Sequence, residues 1–181
     1  MDYSEIKNTK EFKGDDNQCT VIASSVVFNV PYSKMHEFYA QNGRKNGKGL
    51  TGFKTNEMIL KVAKIHGYRV TSYGIMKKYS YDGNCRKFAG CKYVELGHPD
   101  NDGEILVKSK TQLTVSNFRE YLPKANYILG TRSHVLAVQN GAVNDWTENR
   151  KHRINRIWII EKTGKLLRLN KKSKYDFSSF V

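Results

Sequence analysis

The stretch Asp15-Asp16-Asn17-Gln18-Cys19-Thr20-Val21-Ile22-Ala23 predicts a helix that begins at a single cysteine. From Cys19 onward, apolar residues recur at the spacing of one helical face: Ile22, Ala23, Val26, Val27 and Val30. The polar residues before Cys19 can cap the first turn, whose backbone N–H groups lack partners within the helix. A cysteine there lies near the positive end of the helix dipole, which favours the thiolate. Cys19 is therefore a candidate nucleophile, and the alternative is a structural, unreactive cysteine.

The size and composition of the chain indicate one globular domain. The chain has 181 residues, enough for one hydrophobic core and short for two ordinary domains. No apolar run reaches the roughly 18–20 residues of a membrane span, and residues 1–7 lack the basic-then-apolar order of a secretory signal. Three cysteines do not form a disulfide framework, which favours a reducing, cytoplasmic setting.

Positive charge is the strongest compositional feature, and it is concentrated near the C-terminus. The formal net charge is +14. Residues 150–174 contain ten Lys or Arg and one acidic residue, Glu161, a net of +9. Such a basic segment can attract nucleic acid, an acidic protein or an anionic surface, although no zinc-finger, helix-turn-helix or RNA-binding motif accompanies it. The alternative is a solvated surface that only keeps the protein in solution.

The order of the predicted elements indicates an α+β fold, with helices early and antiparallel strands late. Residues 1–14 are interpreted as a polar lead-in and residues 74–110 as an irregular basic and aromatic insertion. β-Branched residues after Cys19 favour a strand by propensity alone, so the first helix is predicted from periodicity. The predicted helices are 19–30, 34–41 capped by Ser33, 56–66 capped by Thr55, and a short helix ending at 122. The predicted strands are 68–73, 126–131, 134–139, 142–146, 154–162 and 166–169.

Two other segments carry weaker signals. Residues 44–52 form a basic, glycine-containing loop that lacks the spacing of a phosphate-binding P-loop, so we expect a flexible surface loop beside a binding cleft. Cys85, Cys91 and His98 have a C-x5-C-x6-H spacing that is looser than a zinc knuckle, and no fourth ligand is evident. A metal site and a redox disulfide remain alternatives there, and unreactive thiols are the default.

The dipeptide Asn140-Gly141 predicts a two-residue type I′ hairpin and thereby a strand register. If Gln139 faces Ala142, then Leu136 faces Asp145 and His134 faces Thr147. Alternation places His134, Leu136, Val138, Val143, Asp145 and Thr147 on one face of the hairpin.

In this register His134 and Asp145 are diagonal neighbours. A carboxylate that accepts one imidazole N–H fixes the tautomer and supports the charged form, as a histidine base requires. The alternative is an exposed hairpin that carries a His and an Asp by chance. Together with Cys19 at a helix start, the pair favours a Cys–His–Asp triad.

These motifs resemble those of small papain-like cysteine peptidases. The helix start Asp-Asn-Gln-Cys-Thr-Val-Ile-Ala, at 16–23, and the late hairpin Ser-His-Val-Leu-Ala-Val-Gln-Asn-Gly-Ala-Val-Asn-Asp-Trp, at 133–146, are most similar to the branch of bacteriocin leader-processing (double-glycine) peptidases and to compact phage-encoded relatives. The loop 43–49 also resembles loops of those phage proteins. The resemblance covers residues 15–146 and leaves the basic tail outside it, whereas residues 74–110 match nothing in it.

The resemblance implies a papain-like fold in a single domain, 1–181, with N-terminal helices packed on a C-terminal antiparallel sheet. It implies that Cys19 is the nucleophile, that His134 is the base and then the acid, and that Asp145 orients His134. Such peptidases usually place an oxyanion-binding glutamine six residues before the cysteine, and Lys13 occupies that position here. Gln18, with the Cys19 backbone N–H, is a possible substitute.

Two functional hypotheses follow. The first is a thiol hydrolase, a cysteine peptidase or isopeptidase, that acts on a protein or peptide through an acyl-enzyme and needs no cofactor or metal. The second is a catalytically weak or inactive scaffold of phage type that binds nucleic acid or an acidic host protein through residues 150–174. Either protein is expected in the cytoplasm, which is the host cytoplasm if the chain is phage-encoded.

Overall fold

The computed structural model describes residues 2–76, 94–97, 105–109 and 113–163. Within them the chain has the expected α+β organisation, with helices first and an antiparallel sheet after them. The helices are Tyr3–Ile6 (α1), Lys10–Lys13 (α2), Cys19–Phe28 (α3), Tyr32–Gln41 (α4) and Gly52–Ile65 (α5). None of the helices among these residues is long and apolar enough to cross a membrane.

The described residues form seven strands in one sheet, and every hydrogen-bonded pair of neighbouring strands is antiparallel. The strands are Tyr68–Met76 (β1), Val94–Gly97 (β2), Ile105–Ser109 (β3), Asn126–Gly130 (β4), Val135–Gln139 (β5), Ala142–Asn144 (β6) and Arg156–Lys162 (β7). Their order across the sheet is β3-β2-β1-β7-β4-β5-β6. The last of the described strands in sequence, β7, therefore lies at the centre, between β1 and β4.

The helix that begins at Cys19 is the central helix of the fold. Every residue of α3 after Cys19 is buried, and α3 packs on β4 and β5 with α4 and α5 beside it. The two buried serines are hydrogen-bonded, Ser24 to the Tyr39 hydroxyl at 2.7 Å and Ser25 to the Val30 carbonyl at 2.7 Å. The predicted helix is confirmed despite its β-branched residues, because burial on all sides outweighs intrinsic propensity. It ends at Asn29, whose left-handed backbone (φ 54°) is typical of a helix C-terminus.

The sheet separates two hydrophobic cores. One core lies on the helical side, where strand residues such as Ala137, Ile128 and Trp158 pack against α3, α4 and α5. The other lies on the opposite face, where Leu136 and Tyr127 pack against the segment that precedes β4. Burial on both faces explains why β4, β5 and β7 read as nearly continuous apolar runs.

The predicted hairpin is confirmed. Asn140 and Gly141 both have positive φ angles, 49° and 80°, as a type I′ turn requires. The register is the expected one, with Gln139 opposite Ala142 and Ala137 opposite Asn144. The ladder ends at Asn144, so Asp145 lies just beyond the strand rather than within it.

The N-terminal residues are not the polar lead-in that we expected. Residues 3–13 contain α1 and α2, and the side chain of Ile6 in α1 is completely buried. The backbone N–H of Tyr3 donates to Asn144 Oδ1 at 2.7 Å, which ties the segment to β6. A single buried apolar residue among charged ones produces too weak a periodicity to predict these short helices.

Both predicted helix caps are wrong by a few residues. Pro31, not Ser33, precedes α4, where its restricted φ angle suits a helix start. Thr51, not Thr55, caps α5, and its side chain accepts from the Lys54 backbone N–H. Thr55 is instead buried in the first turn. α5 starts before its apolar stripe because Thr51 caps it, and the spacing of apolar residues does not indicate where a cap lies.

The region from 74 to 110 contains regular structure that the sequence did not indicate. β1 runs on to Met76, and β2 and β3 extend the sheet beyond it. The short helix predicted to end at 122 is a 3-10 helix, Phe118–Glu120. Cys85, Cys91, His98, the strand predicted at 166–169 and the basic segment from 164 onward lie outside the described residues.

Candidate active site

Cys19 is the first residue of α3 and carries a free, partly buried thiol. Gln18 precedes the helix, but its side chain makes no capping hydrogen bond, so the expected side-chain cap is absent at this position. The sulfur accepts a hydrogen bond from the backbone N–H of Val135, the first residue of β5. The start of the helix and the start of the strand are therefore in direct contact.

His134 lies immediately before β5, in a turn that follows β4. The turn is closed by the Thr131 N–H, which donates to the His134 carbonyl at 2.8 Å, and by the His134 N–H, which donates to Thr131 Oγ1 at 3.1 Å. Its imidazole is hydrogen-bonded to the Cys19 thiol. α3 packs on the face of β5 opposite to Leu136 and Val138. Cys19 and His134 meet because His134 precedes the regular ladder of β5.

Asp145 holds the other side of the imidazole. Nε2 of His134 lies 3.0 Å from each carboxylate oxygen of Asp145, so Nδ1 is the ring nitrogen left for the thiol. The carboxylate is fixed in turn by Thr147, whose backbone N–H and hydroxyl donate to Oδ1 at 2.9 and 2.7 Å. Thr147 is buried, which holds the carboxylate in one orientation. The structure thus brings Cys19, His134 and Asp145 together, with the imidazole of His134 between the thiol and the carboxylate.

The electrostatics favour an ion pair between the thiol and the imidazole. Burial raises the pKa of the Cys19 thiol, but hydrogen bonds from His134 and Val135, the His134 charge and the Thr20 hydroxyl together lower it below its ordinary value. Burial lowers the pKa of His134, but the hydrogen bonds and negative charges of Asp145 and Cys19 raise it to about 9. Both shifts favour the thiolate and imidazolium forms of the pair.

Trp146 covers one side of the histidine. Its ring centroid lies 5.2 Å from that of His134 and 6.0 Å from that of His152, and about half of its surface is exposed. An indole in this place limits the access of water to the bond between His134 and Asp145. The residue was quoted in the hairpin motif, but nothing in its spacing indicated this contact.

Gln18 does not enter the site, contrary to the expectation that it could bind an oxyanion. Its Nε2 donates to the carbonyls of Phe12 and Asp15, both at 3.0 Å. Its Oε1 accepts from the hydroxyl of Tyr32. Both amide hydrogens of Gln18 are therefore used within this buried network. Gln18 directly precedes Cys19 at the helix start, and its side chain points to the opposite side.

A second polar cluster, Asp15 with His36, Arg44 and Gly47, was missed by sequence reasoning. Asp15 Oδ2 lies 2.9 Å from His36 Nε2 and accepts from the guanidinium of Arg44, while Oδ1 accepts from the Gly47 N–H at 2.7 Å. Burial raises the pKa of Asp15, but the Arg44, Gly47 and His36 contacts outweigh it and lower the value to about 2. Nothing local links positions 15 and 44, so only the folded chain shows the pair.

This cluster changes the interpretation of the loop 44–52. Arg44 is buried against Asp15, which makes it a structural anchor rather than a phosphate ligand on a flexible surface loop. The expected position beside a cleft is confirmed, since Gly49 and Leu50 line it. The cleft has a volume of about 700 Å³ and also contains Cys19, His134 and the exposed Phe53.

No group of three His, Cys, Asp or Glu side chains arranged to hold a metal occurs within the described ranges. Cys85, Cys91 and His98 are not among those residues.

No protein-family model, no curated protein and no solved structure matches this chain. The fold and site therefore define an α+β domain with a Cys–His–Asp constellation in a cleft, and its function has to be argued from that geometry.

Proposed function

We propose that the protein is a papain-like thiol hydrolase, a cysteine peptidase or isopeptidase that forms an acyl-enzyme on Cys19. The observation that supports it most is the chain of contacts in the cleft. The thiol is hydrogen-bonded to His134, and Nε2 of His134 lies 3.0 Å from both oxygens of Asp145. Nucleophile, base and orienting carboxylate in sequence are what nucleophilic acyl transfer requires.

In this mechanism the Cys19 thiolate attacks the carbonyl carbon of the substrate, and a C–S bond forms while the carbonyl oxygen becomes an oxyanion. The His134 imidazolium donates its proton to the leaving amine as the C–N bond breaks. A water molecule then attacks the thioester, and His134 accepts its proton. The carboxylate product leaves, and the Cys19 thiolate and the His134 imidazolium are restored.

The oxyanion needs two donors close to Cys19. The first is the backbone N–H of Cys19, at the N-terminus of α3, where the helix supplies no acceptor. We assign the second to Asn17, which lines the cleft two residues before the nucleophile. Its Nδ2 donates one hydrogen to the Gly47 carbonyl at 3.0 Å, which leaves the second hydrogen for the substrate. Its left-handed backbone (φ 55°) turns it away from the buried path of Gln18.

The proposal is tested by labelling with peptide acyloxymethyl ketones, followed by mass analysis of the modified peptide. We expect rapid modification of Cys19, none in Cys19→Ala and little in His134→Ala. Asn17→Ala should lower peptide turnover on the order of 10²-fold, as expected for one lost oxyanion donor. Equal labelling of Cys85, Cys91 and Cys19, unchanged in His134→Ala, would contradict the proposal.

A second candidate, the inactive scaffold that binds a polyanion, is favoured by the exposed cations between β6 and β7. Arg150, Lys151 and Arg153 are exposed there, in the described part of the basic segment 150–174. Binding of a generic duplex should then weaken steeply with salt, because phosphate contacts release counterions. A weak, flat salt response would count against this candidate.

A further inference from the structure

The charge of the cleft suggests which substrates it accepts. The described residues that line it include two arginines, Arg132 and Arg156, and no Asp, Glu or Lys. The base His134 adds a further positive charge when it is protonated. The charged side chains that a peptide meets among the described lining residues are therefore positive.

Within the described part of the chain, neither arginine has an acidic partner. Both are exposed, and no carboxylate among the described residues lies within ion-pair distance of either. Other arginines differ, since Arg44 is paired with Asp15 and Arg119 with Glu148. The two cleft arginines are thus available to an external anion.

Backbone contacts fix both arginines relative to the base. Arg132 is at the tip of the turn that Thr131 closes onto His134. Arg156 is paired across the β4–β7 ladder with Gly130, the residue that begins this turn, and the Asn155 N–H donates to the Gly130 carbonyl at 2.7 Å. An anion held by these side chains would consequently be held near the reacting carbonyl.

The indole of Trp158 lies below Arg156. Its guanidinium carbon lies 5.8 Å from the ring centroid of Trp158, whose Nε1 donates to Asn56 Oδ1 at 2.9 Å. A Cβ at Gly130 would lie 3.2 Å from the Trp158 ring, so the indole fills the space beside Gly130. The guanidinium therefore lies over the indole as a cation–π contact. Its N–H groups can bind a carboxylate in a bidentate manner.

We propose that the cleft selects acidic peptides, in which an Asp or Glu side chain next to the scissile bond is bound by Arg156 and Arg132. This inference rests on the proposed thiol hydrolase function, because it names the substrate class of the same site. A charged hydrogen bond of this kind contributes enough to favour Glu over its neutral isostere Gln by roughly 10- to 100-fold. Within the basic segment 150–174 the preference depends on Arg156, and the other cations of that segment are not needed for it.

The test compares acetylated pentapeptides of Ala and Gly in which Glu, Gln or Lys replaces one residue in turn. Equilibrium affinity is measured by calorimetry on Cys19→Ala, which cannot turn them over, and turnover is measured on the unaltered protein. We expect Glu to be preferred at one or two positions and Lys to be rejected. The preference should fall about tenfold in Arg156→Met and partly return in Arg156→Lys.

Arg150→Met is the matched control, since it removes the same charge from an exposed arginine outside the cleft lining. It should keep the full preference for Glu. Equal affinity for the Glu, Gln and Lys peptides, or an equal loss in Arg150→Met, would overturn the inference. Failure of the hydrolase proposal is a different result, namely selective binding of Glu peptides with no turnover and no labelling of Cys19.

Discussion

Two Asp–His pairs lie near the start of α3 in the described part of the chain, and they differ in what else touches each carboxylate. The two pairs are alike in geometry, with Nε2 to oxygen distances of 3.0 Å for Asp145 with His134 and 2.9 Å for Asp15 with His36. They are also alike in burial, since the histidine side chains are 17% and 14% exposed. Distance and burial alone therefore do not distinguish a base from a structural contact.

The surroundings make the distinction. Asp15 is neutralised by Arg44 and also holds the Gly47 N–H, so the pair with His36 serves to anchor the loop beside the cleft. Asp145 meets the neutral donors of Thr147 and keeps its negative charge for His134, which contacts a thiol on its other side. A histidine base thus requires both an uncompensated carboxylate and a nucleophile within reach.

The largest expected effect is that of removing His134, the proposed base. We expect His134→Ala to lower the acylation rate of Cys19 about 10⁴-fold, because both the thiolate and the proton donor depend on the imidazole. The matched control is His36→Ala, which removes the histidine of the other pair and should change the rate far less, because His36 contacts Asp15 and not the thiol. Single-turnover kinetics with an activated ester measure both rates. Similar losses in the two variants would remove the distinction between the pairs.

The second prediction concerns the structural pair. Asp15→Asn leaves the Arg44 guanidinium buried without its counter-ion, which costs about 3–5 kcal/mol in the free energy of unfolding. Adding Arg44→Met should recover much of this loss, as replacing both partners of a buried ion pair is often close to neutral. Urea unfolding followed by circular dichroism measures the three proteins. An unchanged midpoint in Asp15→Asn would show that the pair does not stabilise the fold.

The same pair should influence acid stability. Because its folded-state pKa is lowered to about 2, Asp15 contributes stability that is present above about pH 4 and is lost as the pH falls towards 2. Urea midpoints of Asp15→Asn should accordingly vary less with pH over that interval than those of the unaltered protein. Parallel pH curves for the two proteins would contradict the assignment.

A smaller effect is expected for the orienting carboxylate. Asp145→Asn should reduce kcat/KM on the order of 10²-fold, because the amide still accepts from Nε2 but no longer supports the imidazolium charge. The alkaline limb of the pH profile should move below about pH 9, since the contacts with Asp145 contribute to the raised pKa of His134. A lower rate with an unmoved alkaline limb would indicate a packing defect instead.

The smallest effect is expected at Trp146. Trp146→Ala opens the bond between His134 and Asp145 to water, and weakening one hydrogen bond by about 1 kcal/mol corresponds to roughly fivefold in rate. Trp146→Phe retains an aromatic cover and should restore most of the activity. The pH profile of kcat/KM for both variants checks this, and equal losses in the Ala and Phe variants would show that cover is not what matters.

Local signals were the ones from which the site could be predicted. Asn140-Gly141 determined the hairpin register that led to His134 and Asp145, and the periodicity after Cys19 led to α3 despite unfavourable propensities. The missed features depend on distant residues. The contact between Asp15 and Arg44, the network that occupies Gln18 and the burial of Ile6 arise only when the segments pack, and no spacing in the sequence reports them.

The most direct test of the thiolate–imidazolium pair is the pH dependence of Cys19 alkylation by iodoacetamide, in a Cys85→Ser/Cys91→Ser background. We expect alkylation to begin at a lower pH than for an ordinary thiol, whose pKa is about 8.5. We also expect a second transition near pH 9 that His134→Ala abolishes. A single transition at the ordinary thiol pKa, unchanged in His134→Ala, would contradict the pair.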